Sequence, residues 1–264
     1  VRNFYPKGKC LPALEKNILK YRAFEMLIIL FHVEELKSFI LGAIRETDKI
    51  RYGHDKSQHR LPDGTKDMYK KMWAILVSER VITQEESNGI QSIIDYRNDI
   101  AHAIQKMTFD IDSNKDFIES YGVTYDYKSL KRLELYKEKI HKGLSGNYIL
   151  PLTFNPLLFE SAENTFKQEL RRLDKRISRL IAIRESESEK VKAEIETIHQ
   201  NVIKEIQPNH PKNFKNNGQL SKRGVECCHA IFANGVSNLS ACYLMRMSLK
   251  SITMRRKEWE AQRA

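Results

Sequence analysis

Apolar positions in this chain recur every three to five residues over long stretches, which is the spacing of buried helix faces rather than of strands. Leu14, Ile18, Tyr21, Met26, Ile29, Val33, Leu36 and Ile40 share one broad face and predict a first helix over about 12–47. Pro12 suits its first turn. The polar stretch 51–64 reads as a loop. Met68, Met72, Trp73, Leu76 and Val77 predict a second helix over about 65–81. Thr83 with Glu86 three residues on is a capping-box pair, and it opens a third helix that runs to about residue 107. Beyond it the pattern weakens. Extended stretches are expected at 108–111, 123–127 and 148–152, with a helix over about 129–141 ended by Gly143.

Phe166, Leu170, Leu173, Ile177 and Leu180 alternate four- and three-residue steps, as in a coiled-coil seam. The polar run 184–190 interrupts the seam, and Val191, Ile195, Ile198, Val202 and Ile206 resume it. One kinked helix and an antiparallel pair both fit, and the seam serves either packing or a dimer surface. Residues 207–218 hold two prolines, four asparagines and a glycine, the composition of a linker. Three short helices follow: 222–233 capped by Ser221 and stopped at Asn234-Gly235, a second from Ser237 to about 245, and a third over 249–262 capped by Ser248. The expected fold is mainly α. A helical bundle covers 1–206, with 108–156 as a candidate insertion and 157–206 as a long helical block. The linker 207–218 then leads to a small basic domain over 219–264.

Composition narrows the function classes. The chain is 41% hydrophobic and 30% charged, which fits a soluble helical protein and not a disordered one. Its net charge is +11, unevenly placed. Residues 207–264 carry ten Lys and Arg against three Glu, a net of +7. Such a tail calls for a polyanion, nucleic acid first, with a merely solvated basic surface as the plainer alternative. Cys10, Cys227, Cys228 and Cys242 form no metal-ligand spacing, so neither a metal nor another cofactor is expected. The apolar stretch 24–44 is broken by Glu25, His32, Glu34, Glu35 and Lys37, so no membrane span is expected. No cleavable leader is visible, and cytoplasm is the expected location.

The most informative residues are 95–102, Asp-Tyr-Arg-Asn-Asp-Ile-Ala-His. Ile90, Ile93, Ile94, Ile100, Ala101 and Ile104 form the apolar stripe of their helix, and ~100° per residue sets Arg97 at its centre. An unpaired buried guanidinium costs several kcal/mol, so Arg97 must be paired or line a cleft. A nearby histidine exchanges protons near neutral pH. Together they are a minimal kit for metal-free cleavage of an RNA phosphodiester. One ideal helix, however, sets Arg97 and His102 ~140° apart. The helix is irregular, or two copies meet and share a cleft. The plainer alternative is that Arg97 pairs with Glu34 or Glu35 and His102 is merely exposed.

The R-N-x-x-x-H run of Arg97, Asn98 and His102 on a metal-free helical background resembles the HEPN superfamily. Many of its members are endoribonucleases of toxin–antitoxin, phage-defence and CRISPR systems. The resemblance implies a mechanism. His102 acts as general base or acid at the 2′-OH and the leaving oxygen, and Arg97 stabilises the phosphate charge. The products are a 2′,3′-cyclic phosphate and a 5′-hydroxyl. Asn98 steers the imidazole or the substrate, Asp95 orients the imidazole, and a homodimer pairs the two motif helices. Tyr96 stacks a base or, more plainly, packs half-buried.

Residues 235–252 resemble the helix-turn-helix of response-regulator and sigma-type DNA-binding domains. Ala241 and Cys242 stand at the small positions, and Met247, Ser248 and Ile252 at the turn hydrophobe, cap and anchor. Arg246 stands where that family has a turn glycine. The resemblance implies that Lys250, Ser251, Thr253 and Met254 face the groove of duplex DNA, and that Arg255, Arg256 and Lys257 reach phosphates. The expected function is thus a metal-independent endoribonuclease. Its alternatives are a dimeric DNA-binding regulator without catalysis and a scaffold built on the 160–206 seam.

Overall fold

In a computed structural model the described residues are 12–53, 55–102, 107, 111, 125–150, 155–198 and 200–263. The fold is mainly α, as the periodicity predicts, and no strand occurs among the described residues. Of the expected extended stretches, 108–110, 123–124 and 151–152 lie outside those residues, and the described positions 111, 125–127 and 148–150 form no strand. The chain divides into two compact units, one of residues 17–175 and one of 1–16 with 176–264. That division differs from the one the linker composition predicts.

In the first unit, α1 (Ala13–Tyr52) supplies the central apolar face with Ile29, Val33, Leu36, Ile40 and Ile44. It runs five residues beyond its expected end, and of those five only Asp48 is buried. Asp48 is 1% exposed and takes the Arg60 backbone N–H and Nε–H, each at 2.8 Å, which ties the 55–67 segment down and places Leu61 in the core. α2 (Met68–Ser78) adds Met72, Trp73 and Leu76, and α3 (Gln84–His102) adds Ile90, Ile93 and Ile94. The capping box forms reciprocally. Thr83 N–H donates to Glu86 Oε2 at 2.8 Å, and Glu86 N–H donates to Thr83 Oγ1 at 3.2 Å. α4 (Ser129–Ser145) passes through Gly143 rather than stopping there. A Cβ on Gly143 would lie 2.8 Å from Val81 Cγ1, so the glycine serves close packing. α5 (Asn155–Thr197) contributes Leu170 and Leu173 to this unit. It is one continuous helix through 184–190, so the polar run changes its surface without ending it.

In the second unit the stretch 207–218 is folded rather than a free linker. Asn213 is fully buried, and its Nδ2 donates to the Gln207 and Pro208 carbonyls at 3.0 Å each. It follows α6 (Gln200–Ile206) and packs on α7 (Lys222–Ala233), where Gly224 lets the Asn213 carbonyl approach. α8 (Asn238–Met245) and α9 (Leu249–Ala261) complete a three-helix group around Cys228, Ile231, Phe232, Ala241, Cys242, Met245 and Ile252. Arg246 takes the left-handed conformation between α8 and α9, with φ 49 and ψ 47. This is the backbone that a turn glycine adopts without strain.

Candidate nucleic-acid site

The capping box fixes where α3 begins, and its isoleucines fix which face it buries. Arg97 follows at the rim of that face. Its side chain is 15% exposed and meets α1. Nη1 donates to Glu34 Oε1 at 2.8 Å, while Nε and Nη2 donate to Asn98 Oδ1 at 3.2 and 2.6 Å. Asn98 thus sets the plane of the guanidinium, and Glu34 binds its outer edge. The plainer expectation, an Arg97–Glu34 pair, is therefore what the protomer contains. Burial by itself would raise the Glu34 carboxyl. The hydrogen bonds and charges of Arg97 and Lys37 outweigh it and hold Glu34 below the usual carboxylate value.

His102 is exposed on the last turn of α3. No contact within the described protomer brings it to Arg97, in keeping with the angular separation of the two positions. Asp95 does not sit under the imidazole. It is exposed, and its Oδ1 accepts from Gln91 Nε2 at 2.8 Å, one turn back. Tyr96 is half-buried, accepts the Asp126 N–H at 3.1 Å and packs with Tyr125 and Ile100. It is a packing residue in the protomer, the plainer of its two expected roles.

Two buried polar clusters of this unit had no sequence signal. Arg22, 2% exposed, donates to the Met107 carbonyl at 2.6 Å and to Tyr127 Oη, with the Tyr125 ring 4.6 Å from its guanidinium. Glu25, 1% exposed, lies in the same cluster. Burial pushes its carboxyl up to about 7 against the opposing hydrogen bond from Tyr125. Two turns further along α1, His32 lies 3.3 Å from Glu163, and Lys137 binds Glu35. His32, Glu134 and Glu163 bring ligand atoms within 4.8 Å of one another, a set that could hold a metal. The Lys167 ammonium already bridges both carboxylates, at 2.8 and 2.7 Å, and supplies the positive charge there.

In the tail, Lys250 and Lys257 are exposed along α9. Arg255 pairs with Glu258 at 2.6 Å, one turn on. Arg256 does not reach outward. It donates to the Val236 carbonyl and lies 4.7 Å over the Phe232 ring, so the apolar face of the tail consumes it. Ser251 and Thr253 are half-buried. Ser251 closes the N-cap with Ser248, and Thr253 Oγ1 donates to the Leu249 carbonyl at 2.8 Å. Met254 is 51% exposed. Cys227, Cys228 and Cys242 are buried thiols pushed up by desolvation to about 11, 12 and 11, which makes them packing groups rather than nucleophiles.

Among the described residues no helix is long and apolar enough to cross a membrane. The chain matches no protein-family model, and no curated protein or solved structure is found to match it.

Proposed function

We propose that the protein is a metal-independent endoribonuclease of HEPN type that acts as a homodimer. The observation that carries this reading is the state of Arg97. It is oriented by Asn98 at the rim of the core and, among the described residues, held outwardly only by Glu34, itself half exposed. The Glu34 carboxylate stands where a substrate phosphate would bind. An ion pair this open to solvent contributes about 0–1 kcal/mol, so a phosphate can replace it at little cost. Arg97 then stabilises charge on the phosphoryl oxygens. His102 takes the proton of the ribose 2′-OH as that oxygen attacks phosphorus, or returns a proton to the departing 5′ oxygen. The P–O5′ bond breaks, and the products are a 2′,3′-cyclic phosphate and a 5′-hydroxyl.

A second copy supplies what one protomer lacks. Glu34 pairs with Arg97, and Met26, two turns earlier on α1, packs against the cluster that holds Ile100. Leu27 and Leu30 precede Glu34 on one side of α1 at 46% and 43% exposure. That apolar stripe adjoins the motif and suits self-association about a two-fold axis, which would bring His102 of one copy toward Arg97 of the other.

The test is cleavage of single-stranded RNA in EDTA by wild type, Arg97→Ala and His102→Ala. Each variant should lose about a hundredfold or more while melting like wild type. If both cut like wild type, the proposal fails. Leu27→Glu/Leu30→Glu should give a folded monomer by light scattering, without cleavage.

A second reading, duplex DNA binding by the tail, is favoured by the left-handed Arg246 turn between α8 and α9 with Lys250 and Lys257 exposed on α9. Lys250→Ala/Lys257→Ala should weaken duplex binding in a gel shift, and unchanged binding would remove this reading.

A further inference from the structure

α2 and α3 leave between them an open groove of about 680 Å³, within the range of small-ligand sites. Tyr69 and Trp73 line it from α2. Gln84, Asn88 and Gln91 line it from α3, on one stripe of that helix. Trp73 is 5% exposed, and its indole N–H meets no acceptor among the described residues. The amides are already oriented. Gln84 Nε2 donates to Asn88 Oδ1 at 2.9 Å, which leaves the Asn88 N–H pair for a ligand. Gln91 Nε2 donates to Asp95 at 2.8 Å, which leaves the Gln91 carbonyl. Donors and acceptors on one side with an aromatic face on the other are what an unpaired nucleobase requires.

The groove is also connected to the candidate cleavage site. The Lys37 ammonium lies 4.9 Å over the Tyr69 ring and 3.3 Å from Glu34, the carboxylate that holds Arg97. Gln91 and Arg97 are six residues apart, about 9 Å along α3 and ~120° around it, so a strand running from one to the other crosses the helix at Lys37 and Glu34. We propose that the α2–α3 groove binds one unpaired purine base of single-stranded RNA, adenine above the others, with Lys37 at its backbone. Tyr69 stacks on the base, an Asn88 N–H donates to a ring nitrogen and the Gln91 carbonyl accepts from the exocyclic amino group, the acceptor–donor pair that adenine presents at N7 and N6. The proposal rests on the nuclease reading for its role, as the subsite that selects where RNA is cut, but its binding chemistry can be tested apart from cleavage.

The chain has two tryptophans, so in a Trp259→Phe background the emission reports Trp73 alone. The 264-residue chain carrying also His102→Ala is titrated with AMP, UMP, hexa-adenylate and hexa-uridylate in EDTA. Hexa-adenylate should change the Trp73 emission and bind about tenfold more tightly than hexa-uridylate. Tyr69→Ala and Asn88→Ala should each weaken it about tenfold with an unchanged melting curve. Emission that no nucleotide alters, equal affinity for both hexamers, or variants that bind like their parent would overturn the proposal. Base-selective binding by a protein whose wild type cuts no RNA keeps the groove and removes the nuclease. RNA cleavage whose base preference Asn88→Ala leaves unmoved keeps the nuclease and removes the groove.

Discussion

The tail and the helical body solve the same problem, burying helix faces, by opposite means. In the tail each helix begins at a serine whose Oγ accepts the N–H three residues on. Ser221 takes Gly224, Ser237 takes Ser240 and Ser248 takes Ser251, each at 3.2 Å. Its core is thiol, aliphatic and aromatic. The body buries charge instead. Arg22, Glu25, His32 and Asp48 are all 3% exposed or less. The partners of Arg22 and of Glu35 come from about a hundred residues away, namely Tyr127 and Lys137. A structure capped by neighbours in sequence is chemically quiet. One fixed by distant polar partners is sensitive to pH, and it is where the candidate chemistry lies.

The contrast can be broken most forcefully in the tail. A Cβ on Gly224 runs into the Asn213 backbone carbonyl, which has no flexible end to yield. Gly224→Ala should cost about 3 kcal/mol or more and deprotect the tail amides in hydrogen exchange. Protection equal to wild type would show the approach to be looser than it is drawn.

Glu25 gives the next effect, in the body. Its folded value near 7 stands above the ordinary 4.5. The folded state therefore holds a proton that the unfolded state has lost, and stability falls as pH rises from about 4.5 through about 7. Thermal melts of wild type should lose up to about 3 kcal/mol across that window relative to Glu25→Gln, which lacks the buried acid and should exceed wild type at pH 8. Parallel curves for the two proteins would contradict a buried neutral carboxyl. Ser248→Ala, the loss of one cap, should cost about 1 kcal/mol by chemical denaturation. Glu34→Gln is the mildest. It removes an exposed pair and should change stability by less than about 1 kcal/mol while lowering KM for RNA a few-fold.

Legibility in the sequence follows the same division. Ser221, Ser237, Ser248 and the Thr83–Glu86 box could be read because a cap is decided within four residues. Gly143 was expected to end a helix and instead admits Val81, since a glycine reads alike in both roles until its neighbour across the fold is known. The 207–218 stretch has linker composition, yet Asn213 uses its amide to hold the turn together. The motif run 95–102 showed where the candidate residues stand on α3, but not that Gln91 would hold Asp95 or that Val236 and Phe232 would hold Arg256. The His32 and Arg22 clusters and the Trp73 groove rest on pairings between separate helices, which leave no periodic trace.

The central claim, that Arg97 and His102 cut RNA through its own 2′ oxygen, meets its most direct test in an end-labelled oligoribonucleotide carrying one 2′-deoxy residue at the cut position, incubated with wild type in EDTA. The account predicts a 2′,3′-cyclic phosphate product from the all-ribose strand and no cut at the deoxy position. Equal cutting of both strands, or no cutting of either, would contradict it.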